Sequence, residues 1–210
     1  MSTDTVLAWL LEGDPAIRWQ VRRDLLDEPL ESYEPERARV ATEGWGAQLL
    51  TRQDPAGTWA NAIYSPKWTS TTYTLLHLRH LGLSPENAQA KRGCALLLDK
   101  GYYPDGGINY FRSYKYSETC ITGMILALLC YFLYADERVH RIVEHLFDQA
   151  ARIERLAAHL DRIAAAVALQ IDGDAVAAVE LHVVEARRPQ AAPGDNGISL
   201  QRERLALEMK

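Results

Sequence analysis

Aromatic residues are missing from the last 63 positions of this 210-residue chain. All 18 Trp, Tyr and Phe residues lie between Trp9 and Phe147, whereas the 63 positions that follow hold 15 Ala. Aromatic side chains supply much of the buried area that fixes a core. The composition therefore predicts a boundary near 148–151, with a region 1–149 and an Ala-rich region 150–210 built differently. Cysteine is scarce too. Cys94, Cys120 and Cys130 are too few and too irregularly spaced for a disulfide framework, and no signal-peptide pattern opens the sequence, so a reduced, cytoplasmic setting is expected. The longest mostly apolar run, Ile121 to Ala135, is shorter than the roughly 20 residues a membrane span needs. Positive charge is not in excess: 23 Lys and Arg stand against 28 Asp and Glu, a net charge of -5. With no basic run, nucleic acid is not expected as a partner.

What the first 147 residues do contain is helix punctuation. Asp14-Pro15 is an N-cap with Pro at the first helical position, predicting a helix through Leu26. Ser84-Pro85 repeats the device, and Gly101 is expected to close that helix in a left-handed conformation. Further helices are predicted over Arg37–Arg52, Thr69–Leu81, Ser117–Tyr134 and Glu137–Asp148. No segment alternates as a strand does, so the fold class is all-α. In the Ala-rich region, Arg152 to Leu169 has apolar residues at helical spacing (Ile153, Leu156, Leu160, Ile163, Val167). Ala175 to Ala186 fits helix or strand equally, and Pro189 to Gly197 reads as a loop.

The sequence also repeats. Leu49-Leu50-Thr51-Arg52 lies over Leu97-Leu98-Asp99-Lys100 at an offset of 48, and Thr69 to Thr74 over Ser117 to Thr122. Gly57-Thr58-Trp59 answers Gly106-Gly107-Ile108 at an offset of 49, and Arg141 to Asp148 follows Arg92 to Asp99. Each unit is a helix, a glycine turn, an extended loop and a more apolar helix. Helical hairpins of this kind stack side by side, because one alone cannot bury both faces.

The turn Gln53-Asp54-Pro55-Ala56-Gly57-Thr58-Trp59 resembles the Q-x-x-x-G-x-W repeat of the terpenoid cyclase and protein prenyltransferase superfamily. The flanks Trp9-Leu10-Leu11-Glu12 and Ser117 to Gly123 look like bacterial members with no settled activity. The resemblance covers about residues 5–149 and implies a partial α/α toroid of roughly 48-residue hairpins, curtailed where Gln149-Ala150-Ala151 stands in place of a third turn. Exposed hairpin edges then predict a homo-oligomer.

The family's catalytic patterns are absent. No Asp-x-Asp-Asp acid and no Asp-Asp-x-x-Asp diphosphate site occurs, and Asp172-Gly173-Asp174 reads as a turn. Glu118-Thr119-Cys120 stands where prenyltransferases hold zinc with Asp-x-Cys, which makes Glu118 and Cys120 the candidate metal ligands. Helix-start carboxylate and core filler are the alternative readings of these two residues. His77 and His80 share a helix face without a third ligand, His140 and His145 do not share one well, and His159 and His182 lie in the Ala-rich region. The aromatic and polar residues before the apolar helices are the candidate ligand site: Tyr64, Lys67, Trp68 and Tyr73, then Tyr110, Arg112, Tyr114, Lys115 and Tyr116. Aromatic faces there can hold an isoprenoid chain or a cation, or they can simply close the loops over the repeat.

The expected function is a binding module for an apolar or isoprenoid-like ligand or a partner helix, with no cofactor. The alternatives are an isoprenoid cyclase or transfer enzyme using Glu118 or Asp105, and an inactive remnant. Light scattering at micromolar concentration checks the expected self-association; a monomer counts against it.

Overall fold

The computed structural model describes residues 3–111 and 113–168. Eight α-helices appear among them: α1 (Thr3–Leu11), α2 (Pro15–Asp24), α3 (Leu30–Ala38), α4 (Gly44–Leu50), α5 (Thr71–Leu81), α6 (Ala88–Gly101), α7 (Thr119–Tyr131) and α8 (Glu137–Ala168). A single 3-10 turn spans Arg39–Ala41. No strand occurs among the described residues, only the isolated bridges Trp59–Ala62 and Tyr102–Ile108. The chain is all-α at that level. No helix among them is long and apolar enough to cross a membrane. The chain divides into two units, Met1–Gln149 and Ala150–Lys210. Arg112, His182, the Asp172-Gly173-Asp174 turn, the Ala175–Ala186 stretch and the Pro189–Gly197 loop lie outside the described residues.

Several expected boundaries move, each for a local reason. Asp14 caps α2 as expected, with Oδ1 accepting from Ala16 N–H at 2.9 Å. Its second oxygen accepts from Trp45 N–H at 2.7 Å, so one carboxylate also serves the start of α4. That splits the expected Arg37–Arg52 helix, because Gly44 at φ +63° turns the chain against Asp14. The helix after Ser84-Pro85 starts later, where Asn87 accepts from Ala90 N–H at 3.0 Å. Gly101 is the last residue of α6 and is followed by extended Tyr102, so it closes nothing in a left-handed conformation. It is needed for space instead: a Cβ there would overlap the Tyr110 ring. Finally, α8 runs on to Ala168 rather than stopping at Asp148.

The core of the first unit forms where α5, α6 and α7 meet. Leu75 and Leu78, then Cys94, Leu97 and Leu98, then Ile121, Ile125, Leu128 and Leu129 are buried together with Phe132 and with Ile142 of α8. Aromatic donors tie this core to the helix ends. Trp19 Nε1 donates to Leu81 C=O at 2.8 Å, Trp59 Nε1 to Leu49 C=O at 2.7 Å and Tyr110 Oη to Leu97 C=O at 2.9 Å. Trp59 is 2% exposed. Replacing it by Phe keeps most of the packing and is expected to cost about 1 kcal/mol, whereas Trp59→Ala should cost about 3–5 kcal/mol. Urea unfolding separates the two, and a Phe variant as stable as the wild type would show the indole N–H to be idle.

Candidate functional site

Two glycine turns position the side chains of the candidate site. In the first, Asp54 N–H donates to Thr58 C=O at 2.9 Å and Gly57 N–H to Asp54 C=O at 2.8 Å. In the second, Tyr103 N–H donates to Gly107 C=O at 2.9 Å and Gly106 N–H to Tyr103 C=O at 3.0 Å. Gly57 and Gly106 have φ of +90° and +93°, a region costly for any residue with a Cβ. The turns dock alike as well: Gly57 rests on Arg92 and Leu96 of α6, Gly106 on Arg141 and His145 of α8. Gln53 reaches Gln89 C=O at 2.9 Å, and the corresponding Tyr102 and Arg138 face each other with the guanidinium 5.9 Å from the ring centroid.

Beyond each turn, an extended loop carries aromatic rings toward the other loop. Tyr64 stacks on Tyr110 at 5.6 Å between centroids and meets the edge of Phe111 at 5.6 Å. On one side Tyr64 continues to Tyr73 at 5.6 Å and then to Trp68 at 5.3 Å; on the other, Phe111 continues to Tyr114 at 5.5 Å. A cleft of about 640 Å³ opens here, walled by Tyr64, Tyr102, Tyr103, Tyr110, Phe111 and Tyr114, with Lys100, Asn109, Ile63 and Ser65 completing it. That volume is in the range of small-molecule sites.

The walls are held by buried polar groups that are fully used. Ser70 Oγ donates to Tyr64 C=O at 2.8 Å and Thr72 Oγ1 to Ile63 C=O at 2.8 Å. Thr71 Oγ1 donates to Ala62 C=O at 2.6 Å. Asn109 Nδ2 donates to Tyr114 C=O and Tyr116 C=O, both at 3.0 Å, and its Oδ1 accepts from Phe111 N–H at 2.7 Å. Burial raises the Tyr64 phenol pKa above its ordinary value. The Tyr73 hydroxyl, 3.3 Å away, adds to the shift, as do the acidic groups of Cys120 and Glu118. Tyr64 is therefore a neutral phenol at physiological pH.

No protein-family model, no curated protein and no solved structure matches this chain.

Of the residues singled out from sequence, Tyr64, Tyr110 and Tyr114 line the cleft, and Tyr73 and Trp68 reach it through Tyr64. Lys67, Lys115 and Tyr116 are exposed and outside its lining. The cation at the cleft is Lys100, which forms no ion pair among the described residues. Glu118 precedes α7 and makes no side-chain cap, and Cys120 is exposed in the first turn. Among the described residues no three His, Cys, Asp or Glu side chains converge on a possible metal position, so Glu118 and Cys120 have no third ligand there. His77 lies 6.5 Å from Trp68 between ring centroids, and His140 pairs with Glu144 at 3.3 Å on the exposed side of α8. Sequence reasoning missed Tyr102, Tyr103 and Phe111. The available signal was positional, since Tyr102 and Tyr103 occupy the places of Gln53 and Asp54 in the repeated turn.

Asp105 is a turn clamp. Its Oδ1 accepts from Gly107 N–H at 3.1 Å and its Oδ2 from Ser117 N–H at 2.8 Å. Desolvation pushes the carboxyl pKa up, but the Ser117 and Gly107 N–H groups that donate to it outweigh burial, and the net shift is downward. A folded-state pKa below the unfolded value of about 3.9 contributes stability above that value, and this is lost as pH falls through the folded-state pKa. Asp105→Asn should therefore be less stable than the wild type at pH 7. The gap in urea midpoint should shrink toward pH 2; a constant gap would mean that the charge is irrelevant.

Proposed function

We propose that residues 1–149 form a curtailed α/α-toroid segment whose aromatic cleft binds an apolar, isoprenoid-like ligand. The cleft carries this reading: six aromatic side chains surround one opening, their loops are fixed by satisfied hydrogen bonds, and Lys100 is available for an anionic head group. Preformed aromatic walls suit a flexible hydrocarbon, because the protein loses little entropy on binding. The matching turns at Gly57 and Gly106 support the hairpin repeat that the toroid requires. Nothing in the cleft favours cyclisation. An acid that protonates an alkene must hold a proton at working pH, whereas Asp105 is held ionised by two backbone N–H groups. Self-association belongs to the same proposal, since α8 exposes Ile153, Leu156 and Ile163 at helical spacing.

Thermal unfolding with farnesol and with farnesyl diphosphate tests the proposal. A ligand that binds only the folded chain stabilises it by about 2.7 kcal/mol at 100 times its dissociation constant. The diphosphate should bind more tightly than the alcohol, and Lys100→Ala should remove that difference. Tyr114→Ala, at a residue 40% exposed, should weaken both ligands without changing the ligand-free transition. If neither ligand shifts the transition at saturation in water, the isoprenoid reading fails.

A further inference from the structure

The second glycine turn holds a second feature, away from the cleft lining. His145 on α8 is 8% exposed, and both of its ring nitrogens are engaged. Nδ1 lies 2.8 Å from Asp105 C=O, and Nε2 lies 3.0 Å from Ser117 Oγ. A carbonyl oxygen can only accept, so the proton of the neutral ring must sit on Nδ1. Nε2 then presents a lone pair, and the Ser117 hydroxyl donates to it. That is the relation between a serine nucleophile and its general base, with a main-chain carbonyl orienting the imidazole. The Asp105 carboxylate, fixed beside the pair, is placed to favour the imidazolium that forms when His145 takes the proton. Gly107 makes the approach possible, since a Cβ there would overlap Ser117 Oγ.

Two further observations separate this from ordinary packing. In the equivalent docking of the first turn, the place of His145 is taken by Leu96, so the contact needs no imidazole. Ser117 also stands one residue before Glu118, which precedes α7, and the start of that helix has no side-chain cap. The unpaired N–H groups of a first helical turn favour negative charge, which is what an acyl oxyanion requires.

We propose that Ser117 and His145 form a nucleophilic pair that accepts an acyl group from a carboxylic ester. Ser117 Oγ attacks the ester carbonyl while its proton passes to His145 Nε2. The tetrahedral intermediate collapses by breaking the carbon–alkoxide bond, and the leaving alcohol takes the proton from Nε2. Water then attacks the acyl-serine, giving up a proton to Nε2, and the free acid and Ser117 hydroxyl are restored. No oxidant or metal enters the balance. Asp105 is a positioning residue in this scheme.

A fluorophosphonate probe tests the pair directly, because Oγ–phosphorus bond formation with loss of fluoride leaves a stable mass increase. The full-length chain should be labelled once, at Ser117 by peptide mapping, and Ser117→Ala should not be labelled. Labelling should disappear when the wild-type chain is unfolded in urea, since activation depends on the folded geometry. His145→Leu, which copies the packing residue of the first turn, should be labelled at least 100-fold more slowly at an unchanged circular dichroism spectrum. Release of p-nitrophenol from p-nitrophenyl acetate should follow the same order. The proposal is overturned by a folded wild type unlabelled at Ser117, by equal labelling in urea, or by a folded His145→Leu labelled at the wild-type rate.

Discussion

The last carbonyls of a helix have no partner within the helix, so a helix end can be buried only if a donor arrives from elsewhere. In this chain aromatic side chains bring donors to buried helix ends. Trp19 reaches the end of α5 and Trp59 the end of α4. Tyr110 donates near the end of α6, and Tyr131 donates to Leu83 C=O at 2.8 Å just beyond α5. Each ring also buries a large apolar face in the same place. Trp and Tyr side chains thus satisfy the polar backbone and fill the core together, and the loops that carry Trp59 and Tyr110 sit where α4 and α6 end.

The candidate site follows from that constraint. Tyr110 is anchored at its hydroxyl by α6, which leaves its ring face to stack on Tyr64. Gly101 leaves room for the ring, and Asn109 pins the loop on either side of it. The first turn has the larger Trp59 in the matching role, with its ring against Gly93 of α6. The two turns share a backbone and differ in what fills them. The cleft opens at the second turn, and there too His145 replaces a leucine.

Much of this was legible in the residues. The Asp14-Pro15 cap and the repeated glycines at 57 and 106 follow from local rules about dihedrals and donors. The cluster of Tyr64, Tyr73, Tyr110 and Tyr114 was visible as aromatic residues flanking apolar helices. The helix from Arg37 to Arg52 was not, because its break depends on Asp14, some 30 residues earlier, reaching Trp45 N–H. Gly101 was misread for a similar reason: its lack of a side chain serves the Tyr110 ring, not its own dihedrals.

The sequence by itself determined the helical class and the two turns, because apolar spacing, N-caps and left-handed glycines act within a few residues. Tertiary structure alone decided which rings share a cleft, which cation stands beside it, and that Ser117 meets His145. Those pairings join residues far apart in the chain, and a contact between distant positions is set by how helices pack, which no local pattern encodes.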